Sequence, residues 1–315
     1  MTDVLRVQKP GLLTTIQDLG RPNAISAGVP PGGAMDRFAH RAANLLVGNE
    51  QSAATLECTL SGPQLVAVHS CLVAITGADF DPQINGRPAP MWTGIFLSEG
   101  EELDFAGRRS GGRSGGRAYI AIAGGIAGDR WLGSVSTNLL VARGGMHGRQ
   151  LLAGDVIKAL GEPSVPAISG RHLSHQLRPA YDDHTLATIA GPHIRRLSAS
   201  DRKVLLGSTF KVSREADRMG YRLEGPMLDA SGDELLSFGL AAGAIQVPRS
   251  GQPILLMADH QTAGGYPVVA VVASASMPVA AQLLPGHELS FADVTVEAAL
   301  RMRAAQRAAL DSLIS

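Results

Sequence analysis

Punctuation is what most constrains this chain. Thirty-seven glycines and eighteen prolines are spread along the 315 residues without gathering into one tract, and between them lie short runs rich in valine, isoleucine and leucine. Glycine frees φ and proline removes a backbone donor, so both end regular structure. Segments this short are the length of strands rather than helices. Ten strands are predicted, at 4–7, 64–68, 72–76, 102–105, 118–123, 155–159, 186–190, 244–247, 254–257 and 268–273. Strands repeated at such spacing build barrels or sandwiches, and the expected class is all-β with a few helices.

The clearest helical pattern runs over 36–47. Phe38, Ala42, Leu45 and Leu46 share one face, Asp36 stands at the N-cap, and Gly48-Asn49 follows as a stop. A second helix, rich in Ala and Arg, is expected over 296–313, with only a weak apolar side from Leu300, Ala304, Ala308 and Leu310. The stretches Gly100-Glu101-Glu102-Leu103-Asp104-Phe105 and Gly286-His287-Glu288-Leu289-Ser290-Phe291 share Gly, Glu, Leu and Phe in register. Either a barrel is duplicated or one turn-plus-strand solution recurs. The expected organisation is a first β-barrel domain over 1–165, a second over 185–315, and a linker over 161–184, where three prolines fall.

Lys plus Arg and Asp plus Glu balance at 28 each, so no net field draws the chain to nucleic acid or to an acidic membrane. Small molecules or other proteins are the expected partners. Asp3, Arg6, Lys9 and Pro10 break up any secretory apolar core at the start. No apolar run approaches the roughly 20 residues that a spanning helix needs, and a soluble, cytoplasmic protein is expected. Cys58 and Cys71 sit among apolar neighbours and read as core thiols rather than a disulfide. The Arg/Gly stretch over 107–117, with Arg108, Arg109, Arg113 and Arg117, lacks aromatics that would stack bases. It reads as a flexible hairpin loop, with phosphate contact as the alternative.

Three places could carry chemistry. In the first, Gly32 and Gly33 precede the helix capped by Asp36, with Arg21 upstream. The backbone N–H groups there converge on an anion at the positive helix end, or the glycines simply make the turn. In the second, Asp79 follows an apolar strand and two small residues, aimed into a pocket or closing an Asx turn, while Asn85-Gly86 nearby signals a hairpin. The third is the richest. Asp217-Arg218, Gln246 and the run Asp259-His260-Gln261-Thr262 to Tyr266 end apolar strands, where a barrel-mouth site needs polar groups. Gln261 can recognise a lactam or carboxylate through paired hydrogen bonds, and Asp217 or Asp259 can orient a base or a metal-bound nucleotide. Gln246, Thr262, Tyr266, Arg218 and Asp79 complete the expected substrate contacts, and each alone also serves as a turn or strand-end cap. His260 is a second-rank base.

No metal site is expected, because His172, His175 and His184 lack the paired spacing of a zinc class. There is no Walker loop, no Gly-x-Ser-x-Gly elbow leading from a strand into a helix, and no strand-borne Gly-x-Gly-x-x-Gly. If ATP is used, a partner chain or an unusual site must help.

The stretches PGLLTTIQDLGRP, GGAMD, ITGAD, RAYIAIAGGI, LGSVSTNL, SREADRMGYRLEGP, GAIQVP and ADHQTAGGYP, which run nearly the full chain, closely resemble the family of 5-oxoprolinase C subunits. That family includes the carboxyltransferase domain of urea carboxylase, formerly called allophanate hydrolase subunit 2, and a sporulation-related antagonist of a kinase inhibitor. The resemblance implies two cyclophilin-like β-barrel domains. It also implies a hetero-oligomer with a smaller homologous B subunit and an A subunit, which opens 5-oxo-L-proline to L-glutamate at the expense of ATP. Asn23, His260 and Ser274-Ala275-Ser276-Met277 depart from the family's usual Gly, Arg and Ala-Asp-Leu. The family also admits a biotin-dependent carboxyltransferase, although no biotinyl-lysine motif is present in this chain, and a non-enzymatic regulator that binds a kinase inhibitor.

Overall fold

A computed structural model describes residues 1–107, 115–164, 166–230 and 232–314. Arg108, Arg109 and Arg113 of the expected hairpin loop lie outside them, whereas Arg117 is buried at the start of a strand. The chain forms two units. One gathers Met1–Arg21, Gly32–Pro179 and Arg307–Ser315, and the other gathers Pro22–Pro31 and Ala180–Gln306.

In the first unit the strands hydrogen bond as two sheets. The six-stranded sheet runs Val156–Ala159, Thr2–Lys9, Gln64–Ala67, Glu102–Phe105, Pro82–Ile84 and Arg87–Pro88. The five-stranded sheet runs Leu13–Gln17, Thr55–Thr59, Arg117–Ile122, Cys71–Gly77 and Gly94–Leu97. Val4, Val7, Leu65 and Leu103 of one sheet share a core with Ile16, Leu56, Ile75 and Ile120 of the other. Alternation fails in the second sheet because Thr14, Thr15, Gln17 and Glu57 are buried as completely as the aliphatics around them, which is why Leu13–Gln17 and Thr55–Thr59 escape a hydrophobic pattern. The expected hairpin forms at Asn85-Gly86, where both residues have positive φ, 50° and 75°. Both cysteines are free and buried, and burial pushes each thiol up to about 12.

The helix Arg37–Leu46 begins at Asp36, whose carboxylate accepts from the N–H groups of Phe38 and Ala39. It packs on Cys71–Gly77 and Arg117–Ile122 and is buried nearly all round, His40 and Asn44 included. The expected linker over 161–184 is corrected: to Pro179 it belongs to the first unit. Its backbone is bonded there, with Leu72 N–H donating to Pro163 O, Gly94 N–H to Arg171 O and Leu173 N–H to Trp92 O. The prolines make this stretch irregular without freeing it.

The second unit holds a closed seven-stranded barrel: Thr185–Ala190, Val268–Val272, Ala244–Gln246, Ile254–Leu256, Gly220–Glu224, Phe210–Val212 and Glu288–Asp293. The last strand returns to the first in parallel, with Thr185 opposite Ser290. Alternation is clean here: Phe210, Val212, Tyr221 and Leu223 point inward while Lys211, Arg222 and Glu224 point out. The repeated Gly-x-Glu-Leu-x-Phe segments do the same local work, since Gly100 N–H donates to Ala67 O and Gly286 N–H to Val212 O, both at 2.8 Å, and Leu103 and Leu289 are then buried. Short helices at Ala199–Gly207, capped by Ser198, and Met277–Gln282 accompany the barrel, and Val296–Asp311 is the expected late helix. Among the described residues no helix is long and apolar enough to cross a membrane.

Candidate functional site

The third cluster singled out in the sequence comes together on the barrel. A cavity of about 370 Å³ is walled by Asp217, Gln246, Gln261 and Tyr266 over a floor of Met219, Ile254 and Leu256. Gln246 ends the strand Ala244–Gln246, and the ladder to Val268–Val272 shifts register between Ile245 and Gln246. Such a shift re-aims a side chain that regular pleating would commit to one face. The result is an amide that is 1 % exposed yet lines the cavity, and its Nε2 has no hydrogen-bond partner among the described residues. A buried amide donor left unpaired costs about 1–3 kcal/mol. Beside a cavity, such a donor gains from any acceptor that a ligand brings.

Gln261 is the second amide. A Cβ placed on Gly264 would lie 2.7 Å from Gln261 Nε2 and 3.5 Å from Gln246 Nε2. Both amides therefore crowd the same glycine, and only the missing side chain leaves room for them. Gly264 pairs with Phe238 in a two-residue ribbon that fixes its position.

Asp217 closes a turn, its Oδ1 accepting from Met219 N–H at 2.8 Å and Gly220 N–H at 3.1 Å, and so launches the strand Gly220–Glu224. Arg218 and Asp259 do not line the cavity. They form a two-pronged ion pair, Nε to Oδ2 at 2.8 Å and Nη2 to Oδ1 at 3.2 Å, while Asp259 N–H donates to Arg218 O. This pair staples the turn bearing Asp217 to the loop bearing Gln261, so Asp259 is engaged by Arg218 rather than turned to the cavity. Thr262 likewise lies off the cavity, its carbonyl accepting from Leu240 N–H. His260 is buried, its Nδ1 2.7 Å from Gln261 O, and burial lowers its pKa, keeping the ring neutral.

Pattern reading missed Glu215 and Arg222. They also line the cavity and pair at 2.8 Å from Arg222 Nε to Glu215 Oε2. The outward turn of Arg222 in an in-out strand was the available signal.

The remaining expected residues belong to the first unit and do not line this cavity. Asp79 Oδ1 accepts from Asp81 N–H, the Asx turn that was its alternative. At the helix start Asp36 takes Phe38 and Ala39 N–H, and Glu57 takes Met35 N–H while also accepting from the Tyr119 hydroxyl. Gly33, at φ 90°, lies so close to the backbone of Leu19 and Gly20 that a Cβ would sit 2.7 Å from each. Arg21 is 2 % exposed, donates to Ser136 O and lies over the Trp131 ring. Gly32, Gly33 and Arg21 are all buried in the unit's own packing. Among the described residues no cluster of His, Cys, Asp or Glu could hold a metal ion.

A closed barrel with a polar-walled cavity, in a chain that also carries a two-sheet unit, is the architecture of a carboxyltransferase-type domain. Residues 27–293 match the family model of the carboxyltransferase domain, subdomain A and B, and the chain belongs to that family. It is 34% identical to the 5-oxoprolinase C subunit of Escherichia coli over 313 residues, covering 98% of this chain and 97% of that protein. It is 31% identical to the 5-oxoprolinase C subunit of Haemophilus influenzae, covering 99% and 97%. Among solved structures it superposes on the Kluyveromyces lactis urea carboxylase with a TM-score of 0.90 at 28% identity, covering 99% of this chain and 29% of that longer one.

Proposed function

We propose that this chain is the C subunit of an ATP-dependent 5-oxoprolinase, a cytoplasmic amidohydrolase in which it works with a smaller homologous B subunit and an A subunit to open 5-oxo-L-proline to L-glutamate. The observation that carries the reading is the buried, unpaired Gln246 amide on the wall of the cavity. A lactam ring holds its amide cis, so carbonyl and N–H lie on one edge. A primary carboxamide presents a donor and an acceptor with the same spacing, and the two meet in paired hydrogen bonds. Gln246 supplies the donor to the lactam oxygen and Gln261 the second amide, while Ile254, Leu256 and Met219 receive the apolar ring edge. As the carbonyl oxygen gains charge during opening, two fixed amide donors stabilise it more than water would.

Asp217 has one oxygen fixed by two backbone amides, and its other oxygen takes the proton of the attacking water and passes it to the ring nitrogen as the C–N bond breaks. Arg222, held by Glu215, offers a cation to the substrate carboxylate. Opening this lactam runs uphill in free energy, so ATP hydrolysis in the complex supplies the drive. The test is ATP-dependent release of glutamate from 5-oxoproline by the A and B subunits with and without this chain. Activity is expected only in the complete mixture, and equal activity without the chain would sink the reading.

A second reading follows from the family and the superposition on a urea carboxylase: carboxyl transfer from carboxybiotin to urea, with the same paired amides facing the urea. It predicts urea-dependent ATP hydrolysis with a biotin carboxylase and its biotin carrier, and no response to 5-oxoproline.

A further inference from the structure

We propose that a triphosphate-bearing ligand occupies a second groove on the same barrel, next to the Gln246 cavity. The inference rests on the lactam-opening reading, since it locates where the phosphoryl donor of that reaction lies. The groove has a volume of about 720 Å³, nearly twice the neighbouring cavity, and shares Glu215, Arg222 and Ile254 with it as a common wall. A space of this size accepts a whole nucleotide.

Its cations are Lys211, Arg214 and Arg222. Lys211 is turned outward because its strand neighbours Phe210 and Val212 are both in the core. Arg222 is engaged by Glu215. No hydrogen bond or ion pair among the described residues engages the side chains of Lys211 or Arg214, so two positive charges in the groove are uncommitted. The carboxylates present are Glu215, held by Arg222, and Glu224, which stands opposite Lys211 in the strand register. Three cations against two carboxylates leave the groove positive in a chain whose overall charge is zero. Ser213 and Ser250 add hydroxyls along its length. Phosphate oxygens bind best where free ammonium, guanidinium and hydroxyl donors line one channel.

The shared wall carries the functional consequence. In coupling by phosphoryl transfer, the lactam oxygen takes the terminal phosphoryl group as its bond to ADP breaks; water then attacks the activated carbon, the ring C–N bond opens with a proton to nitrogen, and phosphate leaves, so the terminal phosphate and the lactam oxygen must meet. A triphosphate lying along Lys211 and Arg214 ends at Arg222, which belongs to both spaces.

The experiment is calorimetric titration of ATP into the full-length chain and into the double variant Lys211→Glu, Arg214→Glu, with 5-oxoproline titrated into each as a second ligand. The groove assignment predicts about a tenfold or greater loss of ATP affinity in the variant. Affinity for 5-oxoproline and the melting temperature should stay as in the unaltered chain. ATP affinity that survives the double substitution, or no ATP binding by the unaltered chain, overturns the proposal while leaving the lactam cavity standing. ATP binding that depends on Lys211 and Arg214, without any 5-oxoproline binding, instead breaks the reading on which it rests.

Discussion

The helix start at Asp36 and the strand end at Gln246 look alike in the sequence, each a polar residue at the edge of an apolar element. In the structure they are opposites. Around Asp36 every amide named above already has a carboxylate from the same chain, and the nearby Asp18 accepts from Gly20 and Val135 N–H and from the hydroxyls of Ser134 and Ser136. At Gln246 an amide is buried and left over. A polar group that its own fold satisfies holds the fold together, whereas a buried donor left over beside a cavity is where a ligand's acceptor fits.

That contrast can be broken experimentally, and the largest effect belongs to Asp18. Replacing it with Ala strands four buried or part-buried donors and should cost about 4 kcal/mol in urea unfolding. Loss of activity should follow only the loss of folded protein. Gln246→Leu should do the reverse: an unchanged melting temperature with about a hundredfold fall in kcat/KM for glutamate release, near 2.7 kcal/mol. A marked loss of stability there, with kcat/KM retained in the folded fraction, would erase the distinction.

Third comes pH. His40 is buried against Thr55 and burial holds its pKa down to about 3, so it is neutral when folded. The unfolded chain protonates it below about 6.5. Its contribution is therefore complete above that pH and is lost as pH falls from 6.5 towards 3. Stability should drop by about 2 kcal/mol between pH 7 and pH 5, and His40→Gln should flatten that slope in denaturation curves. The smallest effect is expected from Asp259→Asn. Its ion pair is partly exposed, so about 1 kcal/mol of stability is at stake, with a modest rise in KM as the loop bearing Gln261 loosens.

Much of the fold was legible because apolar strands announce themselves. The segments at 102–105 and 268–273 fall on Glu102–Phe105 and Val268–Val272, and the Asp36 cap is where the helix begins. Leu13–Gln17 and Thr55–Thr59 escape the pattern because they are buried on both faces, with Ile16, Leu56 and Cys58 in the core and threonine, glutamine and glutamate interleaved, bonded over long range where no local pattern reveals it. For the site, chemistry at strand ends was enough to gather Asp217, Gln246, Gln261 and Tyr266. It did not separate them from Arg218 and Asp259, because a staple and a ligand-facing carboxylate look identical until the pairing at 2.8 Å is seen. Glu215 and Arg222 enter only through the shape of the wall.

The parallel seam between Thr185–Ala190 and Glu288–Asp293 sets a timetable for biogenesis. Thr185 and Ser290 are 105 residues apart, so at about 5–20 residues per second the first barrel strand emerges from the ribosome roughly 5–20 s before its closing neighbour exists. Through that interval its edge is open to other chains. The barrel that carries the Gln246 cavity cannot close until its last strand is made, and truncation before Glu288 should leave it unclosed.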